Sequence, residues 1–180
     1  MASALTTISP ELEAFIKAQH VFFVATAPSE GGHVNLSPKG LDTLRILSPT
    51  RVAYLDLTGS GNETAAHVTQ NGRMTIMFCA FEGKARIVRL FGRGGVVLPG
   101  DPEWAALAAL FPALPGVRQI ITLDIDRVGS SCGFGVPRLA FVEERPDMHE
   151  WAQRKGDTGL EEFRAKHNRV SIDGIPTPAR

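Results

Sequence analysis

The sequence predicts a mainly β protein, an antiparallel barrel carrying short helices. Three observations lead there. About six short segments read as strands, either alternating or continuously apolar. Several of them are joined by tight turns rich in glycine and proline, such as Ser48-Pro49 and Glu82-Gly83. The helical patterns are short and do not recur between strands, as the crossovers of a doubly wound parallel sheet must.

The elements follow in order. Ser9-Pro10-Glu11 opens a helix: a serine cap, proline in the first turn and an acid near the positive end. Leu12, Phe15 and Ile16 share one face of it, and the helix should end near Gln19. Residues 20–27 (HVFFVATA) read as a strand buried on both sides, 28–32 as a turn and 33–37 as a second, alternating strand. Pro38 cannot donate to a ladder, so Ser37-Pro38-Lys39-Gly40 marks a sheet edge, a bulge or a departure from the sheet.

Residues 44–47 and 51–57 flank a turn as a strand pair. A loop around Gly59 and Gly61 then feeds a helix over 63–71, with Asn62 as cap and Gly72 as stop. Residues 73–81 and 85–97 form a hairpin. Asp101-Pro102-Glu103 opens a helix striped with Trp104, Leu107, Leu110 and Phe111. Residues 117–125 are the last clear strand, and 130–137 (SSCGFGVP) a glycine-punctuated loop. A helix starts at Asp147 and carries Trp151. Leu160 and Phe163 mark another, and 171–180 is an irregular tail.

Composition excludes several functions. The 180 residues, 43% of them hydrophobic, suffice for one domain with a real core. Nineteen basic residues balance nineteen acidic ones, so no global field draws in nucleic acid or an acidic membrane. No apolar run reaches the ~20 residues of a spanning helix, and the first residues lack the basic start and apolar stretch of a signal peptide. Cys79 and Cys132 lie far apart without CxxC spacing, which fits a reducing cytoplasm and argues against zinc. The five histidines show no ligand spacing, so no metal is expected.

One stretch offers chemistry. Gly59, Ser60, Gly61 and Asn62 place backbone N–H groups at a helix start, where an anion is favoured, with hydroxyls from Thr58, Ser60 and Thr64 close by. The same residues also make an ordinary strand-to-helix turn, and they match neither GK[ST] nor GxGxxG. Arg86 and Arg89 fall on opposite strand faces, so at most one reaches a given groove; Arg86 or Arg93 is favoured over Arg89. No side chain stands out as a catalytic acid, base or nucleophile.

Taken together, NLSPKG (35–40), AYLDLTGSGNETAAH (53–67), NGRMTIMFCAF (71–81) and RIVRLFGRG (86–94) resemble the pyridoxamine 5′-phosphate oxidase-like, FMN-binding split barrels. The likeness spans residues 18–127, leaving 128–180 as a C-terminal loop and helical extension of a single domain over 1–180. It implies an antiparallel six-stranded split β-barrel with short flanking helices. It also implies a homodimer that holds FMN at the subunit interface, and a small-molecule substrate. Asn35, Ser37, Lys39 and Gly40 would lie along the strand that passes the flavin ring, and Lys39 would neutralise phosphate or reduced-ring charge. Thr58, Ser60, Gly61, Asn62, Glu63 and Thr64 would form the phosphate seat with Arg86 or Arg93. Family members often carry a basic pair where this chain has Asn62-Glu63, so a positive charge must come from elsewhere unless the phosphate is bound weakly or in another place. The implied function is an FMN-dependent oxidoreductase of unknown substrate. Pyridoxamine phosphate oxidation itself needs Arg, Tyr and His residues for a second phosphate, and this chain has one tyrosine, Tyr54. The alternatives are a deazaflavin in place of FMN, or a non-catalytic flavin, deazaflavin or haem binding module.

Overall fold

A computed structural model describes residues 5–178. The first four residues of the stretch judged not to be a signal peptide, and the last two of the irregular tail, lie outside it. The elements are α1 (Pro10–Lys17), β1 (Phe22–Thr26), β2 (Asn35–Lys39), β3 (Leu44–Ser48), β4 (Arg51–Leu57), α2 (Glu63–Asn71), β5 (Arg73–Cys79), β6 (Ile87–Val97), α3 (Trp104–Ala108), β7 (Val117–Ser131) and α4 (Asp147–His167). The fold is mainly β, as expected. Its one sheet is antiparallel throughout and runs β2-β1-β5-β6-β7-β4-β3.

The sheet has seven strands where six were expected. The last strand runs on to Ser131, past the expected end at residue 125, long enough to pair with β6 over its whole length and with β4 at its start. The short β3 then adds an edge beyond β4. The sheet curls until its ends approach: Lys39 of edge strand β2 reaches Asp56 of β4 at 2.9 Å. Pro38 sits on that edge strand, paired with Phe23, the kind of position where a strand tolerates proline.

The curl encloses the main core. Phe22 and Val24 of β1, Val52 and Tyr54 of β4, Ile76 and Phe78 of β5, Leu90 of β6 and Ile121 and Leu123 of β7 pack with Leu12 and Ile16 of α1. Ser9 caps α1 by accepting the Leu12 N–H at 3.3 Å. A smaller cluster on the other face of β4 and β7 packs Ala53, Leu55 and Ile120 under Leu107 and Phe111, so these two strands are buried on both sides. Strand β1, expected to be so, is not: Phe23 and Ala25 on its outer face are only half-buried.

Two glycines permit close approaches. A Cβ on Gly92 would collide with the Asp124 carbonyl oxygen, at the bulge where β6 and β7 change register. A Cβ on Gly94 would lie 2.7 Å from Val68, so α2 can rest on β6 only because that side chain is missing. The C-terminal extension is helical as expected. Gly156 breaks α4 at φ 60° and ψ 175°, giving the two segments marked by Trp151 and by Leu160 and Phe163.

Candidate functional site

Where the two ends of the sheet converge, a groove of about 530 Å³ opens between β2, the end of β4 and the loop before α2. Period-two alternation builds its first wall. Asn35, Ser37 and Lys39 share the inner face of β2, opposite Thr26, Val24 and Phe22, while Leu36 points out and is 63% exposed. Ser37 Oγ donates to Asn35 Oδ1 at 2.9 Å. Asn35 Nδ2 donates to Thr26 Oγ1 at 3.2 Å and Thr64 Oγ1 at 3.1 Å, tying the strand to α2. Behind them His67 is fully buried with Nδ1 3.0 Å from Thr26 Oγ1, and that burial lowers its pKa.

The floor is Asp56, 2% exposed. Three donors hold it: Lys39 Nζ at 2.9 Å, Arg118 Nε at 2.7 Å and Gln119 Nε2 at 2.8 Å. Burial alone would raise the Asp56 pKa. The charges and hydrogen bonds of Lys39 and Arg118 outweigh it and hold the carboxyl at about 2. Adjacent residues of a strand normally point to opposite faces, yet Arg118 and Gln119 both reach Asp56. The register shifts there, Asp56 facing Gln119 and Leu57 facing Val117, so Arg118 is the extra residue of a bulge.

The second wall is the loop from Thr58 to Glu63, held from far along the chain. Thr58 Oγ1 donates to the Gly116 carbonyl at 2.7 Å and accepts from Arg164 Nε at 2.8 Å. Asn168 Nδ2 donates to the Gly59 carbonyl at 3.0 Å, and Arg118 Nη1 donates to the Gly61 carbonyl at 2.8 Å and to Asn168 Oδ1 at 2.9 Å. Glu63 turns its carboxylate toward the tail and accepts the Ile172 N–H at 3.1 Å. Arg164 is therefore a structural clamp.

Of the residues expected at the site, Asn35, Ser37, Lys39, Gly40, Ser60, Gly61, Glu63 and Thr64 line the groove. Thr58 and Asn62 lie behind the loop, fully or nearly fully buried. Asn62 does not cap α2 with its side chain; it accepts from Gln119 Nε2 at 2.7 Å instead. The chain does not bring Arg86 or Arg93 to the groove. Arg86 donates to Glu11 at 2.6 Å and lies over the Phe15 ring, while Arg93 is exposed on central strand β6 opposite Arg73. Trp151 packs edge-on against Phe163, 5.1 Å between centroids. Asp56, Arg118 and Asn168 were missed. A lone aspartate in the apolar run RVAYLDL was a usable signal for the first; the bulge hides the second, and only tertiary structure reveals the third.

A curled antiparallel sheet with a polar groove between its ends defines a class, the split barrels, and comparison with known proteins agrees. The family model described as Pyridoxamine 5′-phosphate oxidase matches residues 8–132. The Pyridoxamine 5′-phosphate oxidase family protein ustO of Aspergillus flavus is 40% identical over 187 aligned residues, covering 94% of this chain and 75% of that protein. This chain belongs to the pyridoxamine 5′-phosphate oxidase family. Among solved structures, HupZ of Group A Streptococcus superposes with a TM-score of 0.57 at 20% identity, covering 74% of this chain and 99% of that one. An FAD binding protein of Mycobacterium smegmatis does so with a TM-score of 0.51 at 14% identity, covering 71% and 97%. At such identities these two share the fold.

Proposed function

We propose that this chain is a flavin-dependent oxidoreductase that holds FMN in the groove between β2 and the 58–63 loop. The observation that carries the reading is the convergence of the Asn35–Lys39 strand and the Gly59–Gly61 loop on one polar cavity of about 530 Å³, within the size range of small-molecule sites. The chemistry of the lining fits a flavin ring and ribityl chain. Asn35 and Ser37 offer an oriented amide and hydroxyl, and the loop offers backbone N–H groups. It fits the phosphate less fully. Lys39 and Arg118 already share Asp56, and Glu63 contributes a second carboxylate.

The bound flavin would accept a hydride equivalent from a reduced donor and pass electrons to an acceptor. The chain's own part is to fix charge and orientation. Asp56 pins the Lys39 ammonium at the groove floor, and Thr26 and Thr64 fix the Asn35 amide. The reading includes a homodimer: Val34 and Leu36 at the β2 edge are exposed beside half-buried Phe23, Ala25 and Met77 on the outer face of β1 and β5. Light scattering checks this by mass.

The test is the visible spectrum of the purified protein before and after FMN is added and the excess removed. A retained flavin spectrum with one FMN per chain, weakened in Lys39→Ala, is expected. A colourless protein that takes up no flavin overturns the reading, and deazaflavin and haem are then the next ligands to offer.

A further inference from the structure

Behind the 58–62 loop, separated from the groove by Arg118, lies a second cavity of about 140 Å³. Arg118, Arg164, Asn62, Gln119, Asn168 and Pro99 line it, so two guanidinium groups and three side-chain amides border a space with room for a small ion and its water. The charge is one-sided. Arg118 is 9% exposed on its side chain and has Asp56 as ion-pair partner, but Arg164 hydrogen-bonds only neutral oxygens, Thr58 Oγ1 and the Val117 carbonyl at 3.0 Å. Among the described residues no carboxylate pairs with Arg164. Burial, with Arg118 next to it, lowers the Arg164 pKa, and the more distant carboxylates of Glu161 and Asp157 offset this only in part.

Donors are also left over. Arg118 uses Nε on Asp56 and Nη1 on Gly61 and Asn168; Arg164 uses Nε on Thr58 and Nη2 on Val117. Arg118 Nη2 and Arg164 Nη1 donate to no acceptor among the described residues. Neither is a sealed-off buried atom, so each keeps some solvent access, and both side chains line the cavity. Paired guanidinium forks with free N–H groups match the tetrahedral oxygens of a phosphate-class anion.

We propose that this cavity binds a phosphate-class oxyanion between Arg118 and Arg164, and that the anion fastens the C-terminal extension to the loop wall of the groove. The site is independent of the flavin reading, since it lies on the opposite side of the loop and none of its chemistry requires a cofactor.

The experiment is binding of inorganic phosphate to the full chain, followed by titration calorimetry in a chloride buffer of matched ionic strength. Saturable binding of one phosphate per chain is expected, weakened about tenfold or more in Arg164→Gln, as loss of a charge-assisted pair implies. Pro99→Glu, at the exposed rim, should block binding by offering its own carboxylate and keeps the test open if Arg164→Gln fails to fold. Arg154→Gln, on an exposed turn of α4, should bind like the parent chain. Repeating the titration with riboflavin or FMN present identifies the source. Phosphate that still binds beside either flavin is a free anion; phosphate excluded by FMN but not by riboflavin means that the cavity takes the phosphate end of a groove ligand. No saturable binding, or binding unchanged in both Arg164→Gln and Pro99→Glu, overturns the proposal.

Discussion

The two walls of the groove are built on opposite principles. The β2 wall is local: Asn35, Ser37 and Lys39 are placed by strand alternation and by the ladder to β1, whose partners lie within 17 residues of them. The loop wall is remote: Gly59, Gly61 and Thr58 are held by Gly116, Arg118, Arg164 and Asn168, residues 57 to 109 positions downstream. A wall of the first kind survives the loss of any one side chain, because its backbone bonds persist. A wall of the second kind depends on a few side chains that each satisfy several buried groups.

The sharpest break of this contrast is Arg118→Met. It removes one of the two charges that compensate buried Asp56 and leaves the Gly61 carbonyl and Asn168 without their donor. Breaking a buried pair from one side costs about 3–5 kcal/mol, and thermal unfolding should shift down by roughly 10 °C for a chain of this size. Asn168→Ala comes next. It strips the donor from the Gly59 carbonyl at a fully buried position and should cost about 2 kcal/mol. Amide exchange of residues 58–63 should quicken, while that of 35–39 stays put. An equal response of both segments would break the comparison.

Acid offers a third test of similar size. The Asp56 pKa falls from an unfolded value near 4 to about 2, so its stabilising contribution is present above pH 4 and is lost as pH drops through 2. That contribution is about 2 kcal/mol, and Asp56→Asn should abolish that part of the acid dependence measured by denaturant unfolding. The smallest effect belongs to the local wall. Ser37→Ala removes one hydrogen bond to Asn35 and should cost under about 1 kcal/mol.

The same contrast decides what can be read from the amino-acid string. The boundaries of α2 are legible because Gly72 takes the left-handed φ of 74° that stops a helix, and the β2 residues are legible because alternation is a local rule. The floor and the loop wall are not. Alternation sends Arg118 and Gln119 to opposite faces, and only the bulge opposite Asp56 and Leu57 brings both to one carboxylate. The displacement of Asn62 from its capping role and the recruitment of Arg164 likewise arise from pairings 57 and 106 residues apart. Expected cations Arg86 and Arg93 sit instead on the middle strands of the sheet or just before them, where Glu11 and solvent receive them.

The 109-residue separation of Gly59 from Asn168 also sets an order of events at the ribosome. At roughly 5–20 residues per second, the glycine loop leaves the exit tunnel on the order of ten seconds before the asparagine that holds it. During that interval α1 to β6 can already pair and bury their core, and β7 can close the sheet, but the groove has only one finished wall. The nascent chain acquires its shape before it acquires its site. Chains that terminate ahead of Asn168 would collect as curled sheets with an unfastened loop, and a ligand that needs both walls would bind only what has been translated through to the tail.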